Sequence, residues 1–235
     1  MKHLTLFSSL FVIAFLFTTT AFSQESAFDK EVKPWHKKAT MTCGMMRDMK
    51  TFDPQKMLSN LNELNTGLKT LSEKYLNNPP KEYAADPLWK TYFEDLADNI
   101  RIVRERVERK EYRLAQKYCG QFCMTFGKMH RTNGRVTLTD MLFSLRMEVN
   151  NAMDMVKAGN IQGAKAHVTT LAKLHENIRQ QLAQPANAKL NELQKPLMNA
   201  YDQWSTAVNA GDTNKAKDAF TAFMNEFPRF YQATF

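Results

Sequence analysis

The side chains best suited to bind a metal or a cofactor are concentrated in residues 118–131. This stretch reads YCGQFCMTFGKMHR and holds two of the three cysteines and one of the five histidines in the chain. Thiolate, thioether and imidazole groups are ligands of haem iron and of soft metals such as Cu(I). The stretch is therefore the first place at which to expect a ligand.

The spacing of the two cysteines in this stretch argues against a bond between them. Cys119 and Cys123 are four residues apart, so on a helix their Cβ atoms would be separated by about 5–6 Å. A disulfide requires about 3.5–4.5 Å between Cβ atoms. We therefore expect the pair to share a ligand and not to form a disulfide with each other.

The N-terminal residues 1–23 have the pattern of a secretory signal peptide. Lys2 gives a basic start, residues 4–17 are mostly apolar, and Ala21-Phe22-Ser23 is a small-x-small cleavage site. The apolar run is shorter than the ~20 residues of a membrane-spanning helix, so no stable membrane anchor is expected. We predict cleavage near Ser23–Gln24 and a periplasmic or secreted protein. An exported protein with an odd number of cysteines keeps at least one that is unpaired, metal-bound or modified.

The charge of the chain restricts its partners. The formal net charge is +8 at pH 7, and basic residues are most frequent between residues 101 and 117. Glutamates alternate with them at helical spacings, which is typical of a solvated face with salt bridges. Export argues against nucleic acid as a partner. An acidic protein partner is compatible with the charge, and a homodimer is an open alternative.

The rest of the chain has the periodicity of amphipathic helices and no strand pattern. Apolar residues recur every three or four positions, and Asp-Pro and Gly-containing turns separate the segments. The sequence predicts an all-α protein of two tandem antiparallel four-helix-bundle-like units, residues 24–133 and 134–235, the second a diverged copy of the first. One long helical array is the alternative. We predict that the first helix covers residues 34–48 and that Pro196 kinks a later one.

The bundle topology suggests a partner for one of the cysteines. An antiparallel four-helix bundle places its first and fourth helices side by side. Cys43 lies on the predicted first helix, whereas Cys119 and Cys123 lie on the fourth. If either of the two forms a disulfide, we therefore expect Cys43 as its partner.

The order of several short motifs over residues 35–131 resembles class II cytochromes c, the cytochrome c′ group. The motifs are Lys38-Ala39-Thr40-Met41 with Gly44, Lys50-Thr51-Phe52-Asp53, Asp86-Pro87-Leu88-Trp89 and Cys119-Gly120. The haem motif of that family is Cys-x-x-Cys-His. Here Phe122 stands where the second cysteine would be, and Cys123 stands where the histidine would be. The resemblance implies a four-helix bundle with haem held in a non-standard way, and a binding or electron-transfer role.

The resemblance also implies a set of haem ligands. One or two thioethers, from Cys119 and Cys123, or none would hold the haem, and Cys123, Met124 or His130 would be an axial ligand. Met41 or His36 of the first helix would lie opposite. The second half of the chain has no cysteine and cannot hold covalent haem.

Two other interpretations stay open at this point. In the first, soft donors of the two helices bind Cu(I). These donors are Cys43, Cys119, Cys123, Met45, Met124 and His130. In the second, the same cysteines and methionines are ordinary core residues, and the protein is a cofactor-free structural or protein-interaction module. The sequence shows no nucleophile–base pair and no Gly-rich phosphate loop, so we do not predict an enzyme.

Overall fold

The computed structural model describes residues 26–235, and every regular element in that range is a helix. There are eight α-helices and two short 3₁₀ helices. The α-helices are α1 Ala27–Gly44, α2 Pro54–Tyr75, α3 Trp89–Glu108, α4 Tyr112–Thr132, α5 Leu138–Lys157, α6 Ile161–Leu182, α7 Asn191–Ala210 and α8 Thr213–Ala233. The 3₁₀ helices are Met45–Arg47 and Pro185–Leu190. The predicted all-α class is confirmed.

The eight α-helices form two antiparallel four-helix bundles in tandem. In the first, α1 packs against α2 and α4, and α3 lies between those two. In the second, α5 packs against α6 and α8, and α7 lies between them. Each set of four helices surrounds its own apolar core, and residues 133–137 connect the two bundles. The tandem arrangement follows from short turns, which make consecutive helices antiparallel neighbours.

The first helix begins seven residues earlier than the sequence predicted. Ser26 and Asp29 form a capping box, in which each side chain accepts a hydrogen bond from the backbone N–H of the other. The prediction placed Pro34 at the start, because proline is common in a first helical turn. In the structure Pro34 lies inside α1, and Pro196 likewise lies within the continuous helix α7.

Aromatic side chains fill the core of the first bundle. The ring of Phe28 makes edge contacts with Trp89, Tyr75 and Tyr83 at centroid distances of 4.9, 5.2 and 5.6 Å. Farther along the bundle, Trp35 packs against the ring of Phe122, and its indole N–H donates to a backbone carbonyl of α2. Because these rings are buried and interdigitate, the centre of the first bundle is tightly packed.

The predicted signal peptide, residues 1–23, and its cleavage site lie outside the described residues. Within residues 26–235, none of the helices combines the length and the apolar character that crossing a bilayer requires. Export therefore stays a prediction from the sequence.

The start of α5 offers a direct test of the bundle junction. The hydroxyl of Thr137 accepts the backbone N–H of Asp140, and the carboxylate of Asp140 accepts the backbone N–H of Thr137. Losing an N-cap hydroxyl costs ~1 kcal/mol, so Thr137→Ala should lower the free energy of unfolding by about that amount in urea denaturation. The control is Thr169→Ala, which removes an exposed hydroxyl in the middle of α6. Equal effects of the two substitutions would contradict the assigned cap.

Candidate functional site

The side chains best suited to bind a ligand or to react lie where the two bundles meet. At this junction α1 contacts α8, and α4 contacts α5. The buried polar side chains of these four helices include Asp29, His36, Cys123, His130, Asp140 and Tyr231. A buried polar group must find a hydrogen-bond partner or pay a desolvation cost, so their partners define the site.

Asp29 is held by three donors at one end of the junction. Its carboxylate accepts the hydroxyl of Tyr83 at 2.6 Å, Nη2 of Arg135 at 2.8 Å and the backbone N–H of Ser26 at 3.1 Å. Burial raises the pKa of Asp29, but these three donors outweigh burial, so its pKa lies below the ordinary value. Since Arg135 belongs to the connection between the bundles, Asp29 ties α1 to that connection.

His130 links α4 to the first turn of α5. Its Nδ1–H donates to the carboxylate of Asp140 at 2.6 Å. Burial raises the pKa of Asp140, but the bonds from His130 and Thr137 outweigh it and lower the pKa. The other ring nitrogen, Nε2, is buried 3.9 Å from a carboxylate oxygen of Asp29 and has no hydrogen-bond partner within residues 26–235. His130 thus lies between two carboxylates, one from each bundle.

His36 and Cys123 meet at the centre of the junction. Nε2 of His36 lies 3.5 Å from Sγ of Cys123, and the hydroxyl of Tyr231 donates to the same sulfur at 3.5 Å. The imidazole stacks on Phe126 with 4.2 Å between ring centroids. Burial lowers the pKa of His36 to about 3 and raises the pKa of the Cys123 thiol. Both groups are therefore neutral near pH 7, which makes this pair a packed contact and not a thiolate–imidazolium nucleophile.

An open cavity of about 820 Å³, which we call the inter-bundle cavity, lies beside these residues. Apolar side chains cover part of it, among them Val32, Phe126, Leu138, Met141, Leu174 and Phe235. The helix α6, the 3₁₀ helix after it and the connection between them contribute five carboxamides: Asn177, Gln180, Gln181, Gln184 and Asn187. Lys33, Arg135 and Asp29 are the charged groups in the lining. The cavity thus offers apolar contact together with many hydrogen-bonding groups.

Two of the sequence-predicted ligands are bonded to each other. Cys43 and Cys119 form a disulfide with 5.7 Å between their Cα atoms. The prediction that Cys119 does not pair with Cys123, and that Cys43 is the expected partner, is confirmed. The expectation that Cys119 and Cys123 share a ligand is wrong in this structure. The sulfur of Cys119 is already bonded, and Cys123 packs with the core of the second bundle.

The predicted methionine ligands do not join the buried cluster. Met41 and Met124 are exposed, at 51% and 37% of their surface. Met45 turns toward α2, where its sulfur accepts a hydrogen bond from Asn60. Of the predicted donors, the structure brings His36 and Cys123 into contact and places His130 one turn beyond Phe126 on the same helix.

These positions do not fit the cofactors that the sequence suggested. A covalent haem needs a free sulfur at Cys119, and that sulfur is bonded to Cys43. The bundle core that would enclose haem is filled by rings such as Phe122 and Phe126. The disulfide also removes Cys43 and Cys119 from the thiolate donors proposed for Cu(I). Within residues 26–235, no three His, Cys, Asp or Glu side chains converge as a metal site. Haem and copper binding stay predictions from the sequence.

Sequence reasoning missed the acidic members of the junction. Ser26-x-x-Asp29 and Thr137-x-x-Asp140 both match the capping-box pattern, so the pattern could have marked each aspartate as a helix start. It could not have shown that the carboxylate of Asp29 also binds Arg135, 106 residues later in the chain. Such contacts depend on how the two bundles pack.

Comparisons with known proteins return no relative: no family model matches the chain, and neither a curated protein nor a solved structure matches it. The likeness to class II cytochromes c thus rests on the sequence motifs alone. The functional argument must come from the geometry of the junction.

Proposed function

We propose that this protein is an exported, non-catalytic binding protein that holds a small amphipathic molecule in the inter-bundle cavity. The observation that carries the proposal is the cavity itself, at about 820 Å³ between the two bundles. Small-molecule sites are typically clefts of ~300–1,000 Å³, and they often occur where two domains meet. The cavity has the size and the position of such a site.

The lining indicates the chemistry of the ligand. Phe126, Leu174 and Phe235 offer apolar and aromatic contact for a hydrophobic body. The carboxamides of α6 can donate and accept hydrogen bonds, which suits a polar head group. Lys33 and Arg135 add positive charge against the single carboxylate of Asp29, so a neutral or anionic head is favoured over a cationic one.

The state of the titratable groups supports binding over catalysis. A general base must be able to reach the substrate and to exchange a proton near the working pH. His36 is buried, and its pKa of about 3 keeps it neutral above that pH. Asp29 and Asp140 are already held by hydrogen bonds from within the protein. These groups hold the two bundles together, and the cavity beside them serves for binding.

Binding of an aromatic anionic amphiphile tests the proposal. 8-Anilinonaphthalene-1-sulfonate has an apolar body and an anionic head, and its fluorescence rises in apolar surroundings. We expect saturable binding of one dye per folded chain. Leu174→Trp should weaken binding by about tenfold or more, equivalent to about 1.4 kcal/mol, because the indole occupies the cavity.

The matched control is Leu114→Trp. Leu114 is exposed on α4 and does not line the cavity, so this variant should bind the dye as the wild type does. Far-UV circular dichroism and melting curves of all three proteins show whether each is folded, because the dye also binds partly unfolded chains. Equal dye affinity in folded Leu174→Trp and in the wild type would refute the cavity as the binding site.

A further inference from the structure

A second cavity, of about 190 Å³, lies between the two bundles on the side of the disulfide. We call it the arginine cleft, because Arg47 and Arg146 line it from opposite bundles. Arg47 ends the 3₁₀ helix after α1, and Arg146 belongs to α5. The hydroxyls of Thr40 and Tyr231 and the carboxamide of Gln116 also line the cleft. Among the described residues no carboxylate lines the cleft, and the hydroxyl of Tyr231 already donates to Sγ of Cys123.

Neither arginine of the cleft is paired with a carboxylate of the described residues. Neither Arg47 nor Arg146 forms an ion pair within residues 26–235, whereas Arg101, Arg106 and Arg179 each pair with a carboxylate. Burial lowers the pKa of Arg47, and the like charge of Arg146 lowers it further. The two side chains bring like charges to one cleft from opposite bundles, so an anion placed between them would be attracted by both.

Arg146 is fixed by two aromatic rings, and one of its N–H groups has no hydrogen-bond partner among the described residues. Its guanidinium carbon lies 5.1 Å from the ring centroids of both Phe143 and Phe227, so the two rings fix the side chain. Its Nε–H is buried and has no hydrogen-bond partner among residues 26–235. A buried unsatisfied donor costs free energy, and an oxyanion would supply the missing acceptor.

We propose that the arginine cleft binds a small oxyanion of the phosphate or sulfate type between the guanidinium groups of Arg47 and Arg146. The planar guanidinium fork matches the oxygen spacing of such anions and makes charge-assisted hydrogen bonds to them. The cleft is much smaller than the inter-bundle cavity and suits a group of a few atoms. Since each arginine belongs to a different bundle, the bound anion also bridges the bundles. This site is independent of the ligand proposed for the inter-bundle cavity.

Isothermal titration calorimetry of the full chain tests this site with sodium phosphate and sodium sulfate in chloride buffer at constant ionic strength. We expect one saturable site, and Arg47→Gln should weaken binding by about tenfold through the loss of a charge-assisted fork. Arg146→Lys keeps the charge but loses the fork, and it should also weaken binding. Glycerol 3-phosphate is titrated as a third ligand. If it binds as tightly as phosphate, the natural anion belongs to a phosphate ester, and weaker binding indicates the free ion.

The matched control is Arg109→Gln, which removes an exposed arginine from the turn between α3 and α4. Its affinity for phosphate should stay within about twofold of the wild type if binding is local to the cleft. Arg47 is exposed at the end of a short helix, so Arg47→Gln should fold and can decide the matter even if Arg146 variants do not. Absence of saturable binding of both anions to the wild type, or equal affinity in Arg47→Gln, would overturn the proposal.

Discussion

Replacing Cys43 and Cys119 with alanine should lower the free energy of unfolding by about 4 kcal/mol. The disulfide joins residues 76 positions apart, and a cross-link that closes a loop of this length removes conformational entropy from the unfolded chain worth roughly that amount. It also joins α1 to α4, the two helices that face the second bundle. Urea denaturation followed by far-UV circular dichroism measures the loss.

The control is Cys123→Ala, which removes a buried thiol but no covalent link. It should cost only ~1 kcal/mol, the ordinary size of a small packing defect. If no ligand is bound, the sequence alone predicts that replacing Cys119 with alanine lowers the free energy of unfolding by an equally small amount. A loss no greater than that of Cys123→Ala in the double variant would show that the disulfide does not stabilise the protein.

The second large effect is a loss of stability in acid that comes from His36. The pKa of His36 is about 3 in the folded protein and 6.5 in its ordinary state, and burial is the main cause. Between these values the unfolded chain binds a proton that the folded chain does not, so stability falls as the pH falls. The contribution is about 1.4 kcal/mol per pH unit, or about 4 kcal/mol by pH 3.

The window from pH 6.5 to 4.5 separates the imidazole from the two buried carboxylates of the junction. The pKa values of Asp29 and Asp140 are lowered, so their contribution is lost only as the pH falls through the ordinary value of 3.8 and below. In this window the wild type should lose about 2 kcal/mol through His36. Burial also lowers the pKa of His175 and adds to the loss, so the comparison must be made between variants.

His36→Phe keeps an aromatic ring against Phe126 but cannot bind a proton. Its free energy of unfolding should depend much less on pH between 6.5 and 4.5 than that of the wild type. His167→Phe is the control, because it removes an imidazole that pairs with Glu148 near the surface. If His36→Phe kept the acid sensitivity of the wild type, the buried neutral state assigned to His36 would be incorrect.

The helices were predictable because their signals are local. The apolar stripe of α2 and the start of that helix at Asp53-Pro54 need only neighbouring residues. The sequence prediction began α1 too late, because it relied on Pro34 as the start signal and not on the capping box at Ser26. The Cys43–Cys119 pair followed from topology, since any antiparallel four-helix bundle brings its first and fourth helices together.

Most of the candidate site could not be predicted from the sequence. Whether Cys123 faces its own core or the neighbouring bundle depends on the rotation of α4, and one step of 100° changes the answer. The structure turns its sulfur toward Tyr231 of α8, 108 residues later. Arg47 and Arg146 meet only because the two bundles pack side by side, and neither arginine stands out in the sequence. No local pattern encodes that packing.

The most direct test of the central proposal is a crystal structure of the protein with 8-anilinonaphthalene-1-sulfonate bound. We expect density for the naphthalene rings in the inter-bundle cavity, beside Phe126 and Leu174, with the sulfonate toward Arg135 or the carboxamides of α6. The same soak of Leu174→Trp should leave that position without dye. Dye found only on the outer surface of the bundles, with the cavity filled by solvent, would contradict the proposed binding function.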